Sequence, residues 1–442
     1  MKRLLAALPL SIALLLGPTP AQAADTHYTG SLPDGATWIA DIPADWHGTL
    51  ILFSHGFGSL TAADAPGEEA KRALLDRGYG LVGSSYDPNG SLWALESAAR
   101  DQFAALAAIE GIVGPARVTI AYGQSMGGLV STQEAENARG GLDAAVSTCG
   151  LLGGGIDLNN YQLDGEYALA RLLAPDEDIR LVGYASPADG AAAAARLVSL
   201  ATDARGTAAG RARVALGTAL LAMPTWSAAQ ATPPADAEGI AQAQFDWFTA
   251  AAPFIMPSRY FIELSAGGNA SWNTGVNYAE LLARSPYRKT VLDLYRAAGL
   301  DPRADLADLT RHASTRADRA AVADLTRSST LTGRLDVPML TMHTVYDQLA
   351  PVEYENRYAE QARTPLLRQS YVARRGHCAF TPSEQIAAIQ AAEHRAVTGR
   401  WDGTATAQNL QKAALALNLG DTPAFTGFRP GPLVSHRRLW ID

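Results

Sequence analysis

Short apolar runs alternate with amphipathic segments along the first third of the chain. Runs rich in apolar and β-branched residues, which are typical of strands, lie at residues 37–41, 49–53, 79–84, 117–121 and 144–148. The periodicity of helices is found between them, at residues 67–77, 92–112 and 128–137. Because strands that alternate with helices at this spacing form a parallel sheet covered on both faces, we predict an α/β fold. A turn joins the first two runs, which we expect to form an antiparallel hairpin.

The alternation stops near residue 153 and resumes near residue 336. Between these points no strong strand pattern is found, and alanine-rich amphipathic segments predict helices near residues 188–202, 208–221, 237–251, 278–283 and 289–298. Further strands (337–341, 367–373) and helices (351–359, 383–397) follow, and the residues from 398 onward are expected to pack over the core. We therefore predict an α/β core at residues 24–152 and 336–442, with a helical cap or lid at residues 153–335.

The amino-terminal residues have the pattern of a secretory signal peptide. Lys2 and Arg3 precede an apolar run at residues 4–17, and Ala21-Gln22-Ala23 offers a small-x-small cleavage site. The alternative is a membrane anchor, but the run is shorter than the ~20 residues that cross a bilayer. We expect cleavage after Ala23 and a secreted or periplasmic protein.

Charge and cysteine content exclude several classes of partner. The 442-residue chain has a formal net charge of −8 and no basic clusters, which argues against nucleic acid or an anionic membrane surface as a partner. No later stretch is apolar for long enough to predict stable insertion into a membrane. The chain has two cysteines and scattered histidines without the spacing of zinc ligands, so we predict no metal site.

The motif Gly123-Gln124-Ser125-Met126-Gly127 lies between a predicted strand and a predicted helix. In a G-x-S-x-G turn of this kind the serine backbone is strained, and side chains at the glycine positions would collide with neighbouring backbone. The turn holds the serine hydroxyl clear of the sheet, beside the free N–H groups at the start of the helix. The alternative is a glycine-rich turn that only makes a tight connection.

Three residues suited to nucleophilic catalysis follow predicted strands in the order Ser125, Asp347, His377. A serine hydroxyl needs a neighbouring imidazole to take its proton, and the imidazole needs a carboxylate on its other nitrogen. With the HGFG motif at residues 55–58, GQSMG at 123–127 and GHC at 376–378, the sequence resembles the α/β-hydrolase superfamily over residues 37–152 and 336–397.

The resemblance implies a mostly parallel sheet with helices on both faces and a large helical cap insertion. It also implies that Ser125 is the nucleophile, His377 the general base and Asp347 the residue that orients it. The backbone N–H groups of Met126 and Phe57 would form the oxyanion hole. No cofactor is expected.

Other residues near these positions have weaker claims to a catalytic role. Asp347 could instead cap a helix, and Glu353 and Glu355 are the next acids along the chain. His343 is interpreted as part of the site wall or the core, and His55 as a residue that shapes the oxyanion loop.

Cys378 follows the histidine directly, and Cys149 ends the strand after the serine helix, at the same edge of the sheet. We expect a disulfide between them, the alternative being two buried thiols. Tannases and feruloyl esterases resemble this in part, because they also have a cysteine directly after the catalytic histidine. The partner cysteine of that family directly precedes the serine, where this chain has Gln124.

We predict an exported serine hydrolase that cleaves a small-molecule carboxylic ester. The alternative is a peptidase or amidase resembling the prolyl and tripeptidyl aminopeptidases, which bind a free amino terminus through acids of the cap. The candidate acids here are Glu166, Asp176, Glu177 and Glu263. A less favoured alternative is a non-catalytic binding protein on this fold. Aromatic residues considered for the inner face of the lid are Trp226, Trp247, Phe248, Tyr260 and Phe261.

Overall fold

A computed structural model describes residues 25–87, 92–138 and 141–437, and the predicted signal peptide lies outside this range. The central feature is a nine-stranded sheet with the order β1-β2-β4-β3-β5-β6-β7-β8-β9. Its strands are β1 (Thr26–Ser31), β2 (Thr37–Ile42), β3 (Thr49–Ser54), β4 (Tyr79–Ser84), β5 (Val118–Gln124), β6 (Ala144–Thr148), β7 (Met339–Tyr346), β8 (Leu367–Arg375) and β9 (Phe425–Thr426). From β4 to β8 neighbouring strands are parallel, and the pairs at both edges are antiparallel.

Helices cover both faces of the sheet. Those of the core are α1 (Glu68–Leu75), α2 (Ala98–Val113), α3 (Met126–Glu136), α12 (Glu353–Ala362), α13 (Pro382–Thr398) and α14 (Ala407–Ala416). Successive strand residues face opposite sides, as Leu50 and Ile51 of β3 do. Leu50 packs in one buried cluster with α2, α3 and α12, and Ile51 packs in another with α1, α13 and α14. The sheet is therefore buried on both faces, as the apolar runs predict.

The predicted α/β class is confirmed, but the predicted hairpin is wrong. The strand β4 lies between β2 and β3, antiparallel to the first and parallel to the second. The reason is burial: all six residues of β3 are buried and need a neighbour on each side, which β4 and β5 provide. The sequence reading also missed β1, whose residues are half exposed, and α14 and β9 in the carboxyl-terminal stretch.

Eight helices and no strand occupy residues 153–335, all of which the structure describes. They are α4 (Gly154–Leu173), α5 (Pro187–Ala204), α6 (Ala208–Leu220), α7 (Ala237–Ala266), α8 (Tyr278–Arg284), α9 (Arg288–Ala297), α10 (Pro302–His312) and α11 (Arg319–Ser329). We call this segment the helical insertion. The helices α4, α10 and α11 were not predicted, and most positions of α4 are buried, so its sequence lacks the two-sided pattern of a surface helix.

Candidate active site

A strained serine turn joins β5 to α3. Ser125 has a φ of 60°, in the left-handed region that side chains other than glycine rarely adopt. A Cβ atom at Gly123 would lie 1.8 Å from the carbonyl oxygen of Gly127, and one at Gly127 would lie 1.8 Å from that of Ser54. Only glycine fits at either position, which is the physical requirement that the motif predicts.

A continuous chain of hydrogen bonds joins Ser125, His377 and Asp347. His377 Nε2 lies 2.7 Å from Ser125 Oγ, and His377 Nδ1 lies 2.7 Å from Asp347 Oδ2. The other carboxylate oxygen, Asp347 Oδ1, accepts hydrogen bonds from the backbone N–H groups of Leu349 and Ala350 at 2.8 and 2.9 Å. The three side chains follow β5, β8 and β7, because the carboxyl ends of parallel strands meet at one edge of the sheet.

Asp347 is buried and ionised. Burial acts to raise its pKa, but interactions with His377 and His343 hold the pKa of this carboxyl well below its usual range. It therefore stays a negative charge that can orient His377 and stabilise its protonated form.

A disulfide bond between Cys149 and Cys378 crosses the same edge of the sheet. Cys149 follows β6, and its backbone N–H donates to the carbonyl oxygen of Met342 in β7. Cys378 is the next residue after His377, so the bond ties the histidine loop to the middle of the sheet. Gln124 donates to the carbonyl oxygen of Cys378 at 3.4 Å.

The loop after β3 lies against the serine. A Cβ atom on Gly56 would lie 3.8 Å from Ser125 Oγ, so the backbone of Gly56 passes close to the serine hydroxyl. The ring of His55 supports this loop: its Nδ1 lies 2.8 Å from the carbonyl oxygen of Gly56, and it stacks on Tyr86. Burial lowers the pKa of His55, so the ring is neutral and its Nδ1–H donates this hydrogen bond.

A pocket of about 260 Å³ opens beside the serine. Its lining is mostly apolar and consists of Gly56, Phe57, Trp93, Gln124, Ser125, Leu151, Leu158, Gln162, Phe254, Ile255, Ser258, Ile262, Leu349, His377 and Cys378. Among these described residues none carries a carboxylate, an ammonium or a guanidinium group. The helical insertion supplies one wall, through α4 and α7.

The sequence reading missed most of these pocket residues. One available signal was helical spacing in α7, where Phe254, Ile255, Ser258 and Ile262 share one face. None of the five aromatic residues considered for the lid lines the pocket, although Phe261 packs on the ring of Phe57 at 6.1 Å between centroids. Helical spacing alone did not show which apolar residues of the insertion belong to the pocket and which to the core.

The candidate acids of the helical insertion also lie away from the pocket lining. Glu166 is fully buried and pairs with Arg259 at 2.8 Å. Glu177 is on the surface and pairs with Arg196, whereas Glu263 accepts hydrogen bonds from the backbone of Gly183.

Neither a metal cluster nor a membrane span is supported in the part of the chain that the structure describes. Cys149, His377 and Cys378 come close enough together to ligate an ion, but the two sulfurs are bonded to each other. None of the helices at residues 25–87, 92–138 and 141–437 combines the length and hydropathy needed to cross a bilayer.

Known proteins resemble the chain to different degrees. No family model matches it. An o-phthalyl amidase from Xanthobacter agilis is 27% identical over 453 residues, which cover 94% of this chain and 97% of the amidase. Feruloyl esterase B from Aspergillus oryzae is 13% identical with a TM-score of 0.43, covering 88% of this chain and 85% of the esterase. An acylaminoacyl peptidase from Pyrococcus horikoshii is 9% identical with a TM-score of 0.37, covering 92% of this chain but only 43% of the peptidase.

The topology places the candidate residues at one edge of the sheet. The parallel strands β4 to β8 carry the serine turn after β5, the carboxylate after β7 and the histidine after β8. A helical insertion separates β6 from β7, and an apolar pocket opens at the serine. The chain is therefore similar in sequence to an amidase, and its mostly parallel α/β sheet brings Ser125, His377 and Asp347 together beside a pocket.

Proposed function

We propose that the protein hydrolyses a carboxylic ester through an acyl-enzyme formed on Ser125. The observation that carries this proposal is the hydrogen-bonded chain from Ser125 Oγ through His377 to Asp347, at the wall of an apolar pocket. His377 takes the proton of the serine hydroxyl as the oxygen attacks the ester carbonyl. Asp347 fixes the imidazole tautomer and stabilises the positive charge that forms on the ring.

The proposed oxyanion hole consists of the backbone N–H groups of Met126 and Phe57. Met126 is the first residue of α3, so its N–H has no partner within the helix. The close approach of Gly56 to Ser125, and the position of the next residue, Phe57, in the pocket lining, support the second donor. Each such donor is typically worth about 3 kcal/mol of activation free energy. His377 then protonates the leaving alcohol, and a water molecule activated by the same imidazole releases the acid.

The pocket lining supports an uncharged, apolar acyl or leaving group of modest size. A volume of about 260 Å³ is slightly below that of typical ligand sites, which measure ~300–1,000 Å³. A charged group placed there would lose its hydration without gaining an ion pair, because the polar side chains of the lining beside the Ser125–His377 pair, such as Gln124, Gln162 and Ser258, are uncharged.

Amide hydrolysis is the second candidate, since the related protein from Xanthobacter agilis is named an o-phthalyl amidase. The same three side chains serve either reaction. An aminopeptidase is less well supported, because a free α-amino group would find no carboxylate among the described lining residues. A binding protein without activity is disfavoured by the intact hydrogen-bonded chain.

We also propose that the helical insertion, residues 153–335, acts as a cap over the pocket, whereas residues 24–152 and 336–442 form the catalytic core. The contribution of α4 and α7 to the pocket wall supports this division. Export from the cytoplasm is proposed as well, and the disulfide supports an oxidising location.

The test is a substrate panel on the purified protein and on two matched variants, Ser125→Ala and Ser258→Ala. Both remove one hydroxyl from the same pocket. The panel comprises p-nitrophenyl esters of increasing acyl length, p-nitrophenyl benzoate, its 2-carboxy analogue and the corresponding anilides. We expect ester turnover to fall by roughly 10⁵-fold or more in Ser125→Ala and to persist in Ser258→Ala.

Two outcomes would overturn parts of the proposal. Equal losses in both variants, or a folded protein that does not react with a fluorophosphonate probe, would contradict catalysis by Ser125. Faster turnover of anilides than of the matching esters would assign the protein to the amidases.

A further inference from the structure

A second histidine, His343 of β7, lies fully buried behind Asp347. Both of its ring nitrogens face oxygen atoms: Nδ1 is 3.2 Å from Glu355 Oε1, and Nε2 is 2.9 Å from the carbonyl oxygen of Ala350. A neutral imidazole has one nitrogen that can only accept, and here that nitrogen would point its lone pair at an acceptor. When Glu355 accepts at this contact, both contacts are satisfied only if both nitrogens carry a proton.

His343 is connected to Asp347 in two ways. Its Nε2 lies 3.6 Å from Asp347 Oδ2, too far for a hydrogen bond but close enough for strong charge attraction. This is the same oxygen that accepts from His377. In addition, Ala350 accepts from His343 through its carbonyl group and donates to Asp347 Oδ1 through its N–H. The loop that holds Asp347 is thus itself held by His343.

We propose that His343 is a permanent imidazolium that positions Asp347 and offsets part of its negative charge. The effect of His343 on catalysis rests on the proposed function, because His343 is assigned there as a positioning residue for the hydrolysis. The protonation of His343 can be measured without it.

The surrounding groups support a positive charge at this place. Glu355 Oε2 accepts hydrogen bonds from Thr341 Oγ1 and from Gln369 Nε2, and Oε1 faces His343. Two buried carboxyl groups, Asp347 and Glu355, lie beside His343, and a positive charge on its ring compensates part of the cost of burying them.

Other titratable groups near His343 are Glu353 of α12, Tyr371 on the neighbouring strand β8, and Tyr161, Tyr354 and His377 around Asp347. Burial raises the pKa of Glu353 to about 7. Burial acts to lower the pKa of His343, but its interactions with Asp347 and Glu355 outweigh this effect and raise it to about 10.

A positive charge behind Asp347 offsets part of the negative charge of that carboxylate, and the carboxylate then stabilises the protonated form of His377 less strongly. Removing the charge should therefore make the base easier to protonate and move the acidic limb of the kcat/KM profile to higher pH, by about one unit. A residue that only fills space would leave the position of this limb unchanged.

The experiment compares His343→Gln with the double variant His343→Gln/Glu355→Gln. Glu353→Gln is the control, because Glu353 has a pKa of about 7 and could itself produce a pH dependence near neutrality. The single variant leaves Glu355 unpaired and is expected to lose stability, whereas the double variant removes both charges and should recover it. The acidic limb should be shifted in the double variant as well. Loss of the Glu355 charge acts in the opposite direction, so this shift should be smaller than in the single variant, and wild-type profiles in both variants would overturn the proposed effect on catalysis. A shift reproduced by Glu353→Gln alone would also overturn it, by assigning that limb to Glu353.

A second measurement does not depend on turnover. In the full-length protein labelled with ¹⁵N-histidine, the resonances lost in His343→Gln identify that ring, and we expect both of its nitrogens to be protonated at pH 8. A neutral His343 at this pH would overturn the proposal. A protonated ring in a protein that does not react with fluorophosphonate would instead contradict the proposed function and leave the assignment of the charge intact.

Discussion

Loss of the disulfide should destabilise the protein and loosen the histidine loop. The bond joins residues separated by 229 positions, so it closes a very long loop of the unfolded chain. The chain-entropy relation for a loop of this length gives about 5 kcal/mol. Because domains typically have only ~5–15 kcal/mol of unfolding free energy, we expect the Cys149→Ala/Cys378→Ala variant to lose a third of its stability or more.

The same variant should lose activity, because Cys378 directly follows His377. A displacement of the imidazole by about 1 Å can lower the rate by up to ~100-fold. Both cysteines have positive φ values, 44° and 54°, so alanine at these positions keeps a strained backbone. The Cys149→Gly/Cys378→Gly variant is the matched control, since it also lacks the bond but relieves a strain of about 1–2 kcal/mol per residue.

Equilibrium unfolding in urea, followed by tryptophan fluorescence and circular dichroism, measures the stability of each variant. The value of kcat/KM reports whether the loop still holds His377 in its active position. The expected order of stability is wild type, then the glycine pair, then the alanine pair. An alanine pair within about 1 kcal/mol of wild type would refute the chain-entropy argument. Unchanged kcat/KM would show that other contacts hold His377 in place.

Four further changes test the packing and charge of the core. Gly127→Ala should prevent correct folding or cost about 3 kcal/mol, because its Cβ would lie 1.8 Å from backbone oxygen; soluble yield and urea unfolding report this. Arg259→Met should cost about 3–5 kcal/mol in urea unfolding by leaving the buried Glu166 unpaired. Thr381→Ala should cost about 1 kcal/mol, read as a lower melting temperature, by removing the capping box of α13. The pKa of His343 is raised from 6.5 to about 10, so its stabilising effect should be complete below about pH 6.5 and lost as the pH rises toward 10, which urea unfolding at a series of pH values measures.

Each of these changes has a control. Gly111→Ala lies inside α2 with open space around its Cβ, and it should be neutral or stabilising. Arg259→Met combined with Glu166→Leu should recover most of the loss, and Thr381→Ser should retain the cap. For His343, the double variant with Glu355→Gln should lose the alkaline dependence. A Gly127→Ala protein as stable as wild type, or controls that behave like the variants they match, would contradict the reasoning.

The amino-acid sequence by itself determined the local parts of this protein. The glycines on either side of Ser125, at positions 123 and 127, predict a turn in which no side chain fits there. A Cβ atom at either position would collide with a backbone carbonyl oxygen. The apolar runs predict buried strands because a strand that is covered on both faces must be apolar at every position. The order of Ser125, Asp347 and His377 after strands also places them at one edge of a parallel sheet, since the ends of such strands meet there.

Only the tertiary structure decided which distant residues become neighbours. Periodicity shows that a face is buried but not what buries it, so the position of β4 between β2 and β3 could not be predicted. The pocket could not be predicted for the same reason, because Phe254 of the helical insertion contacts Phe57, which is distant in the sequence. The role of His343 could not be predicted either, because its two acceptors come from a loop and a helix that fold back over β7. Charge and packing at the site depend on contacts between segments, and these are settled by the fold as a whole.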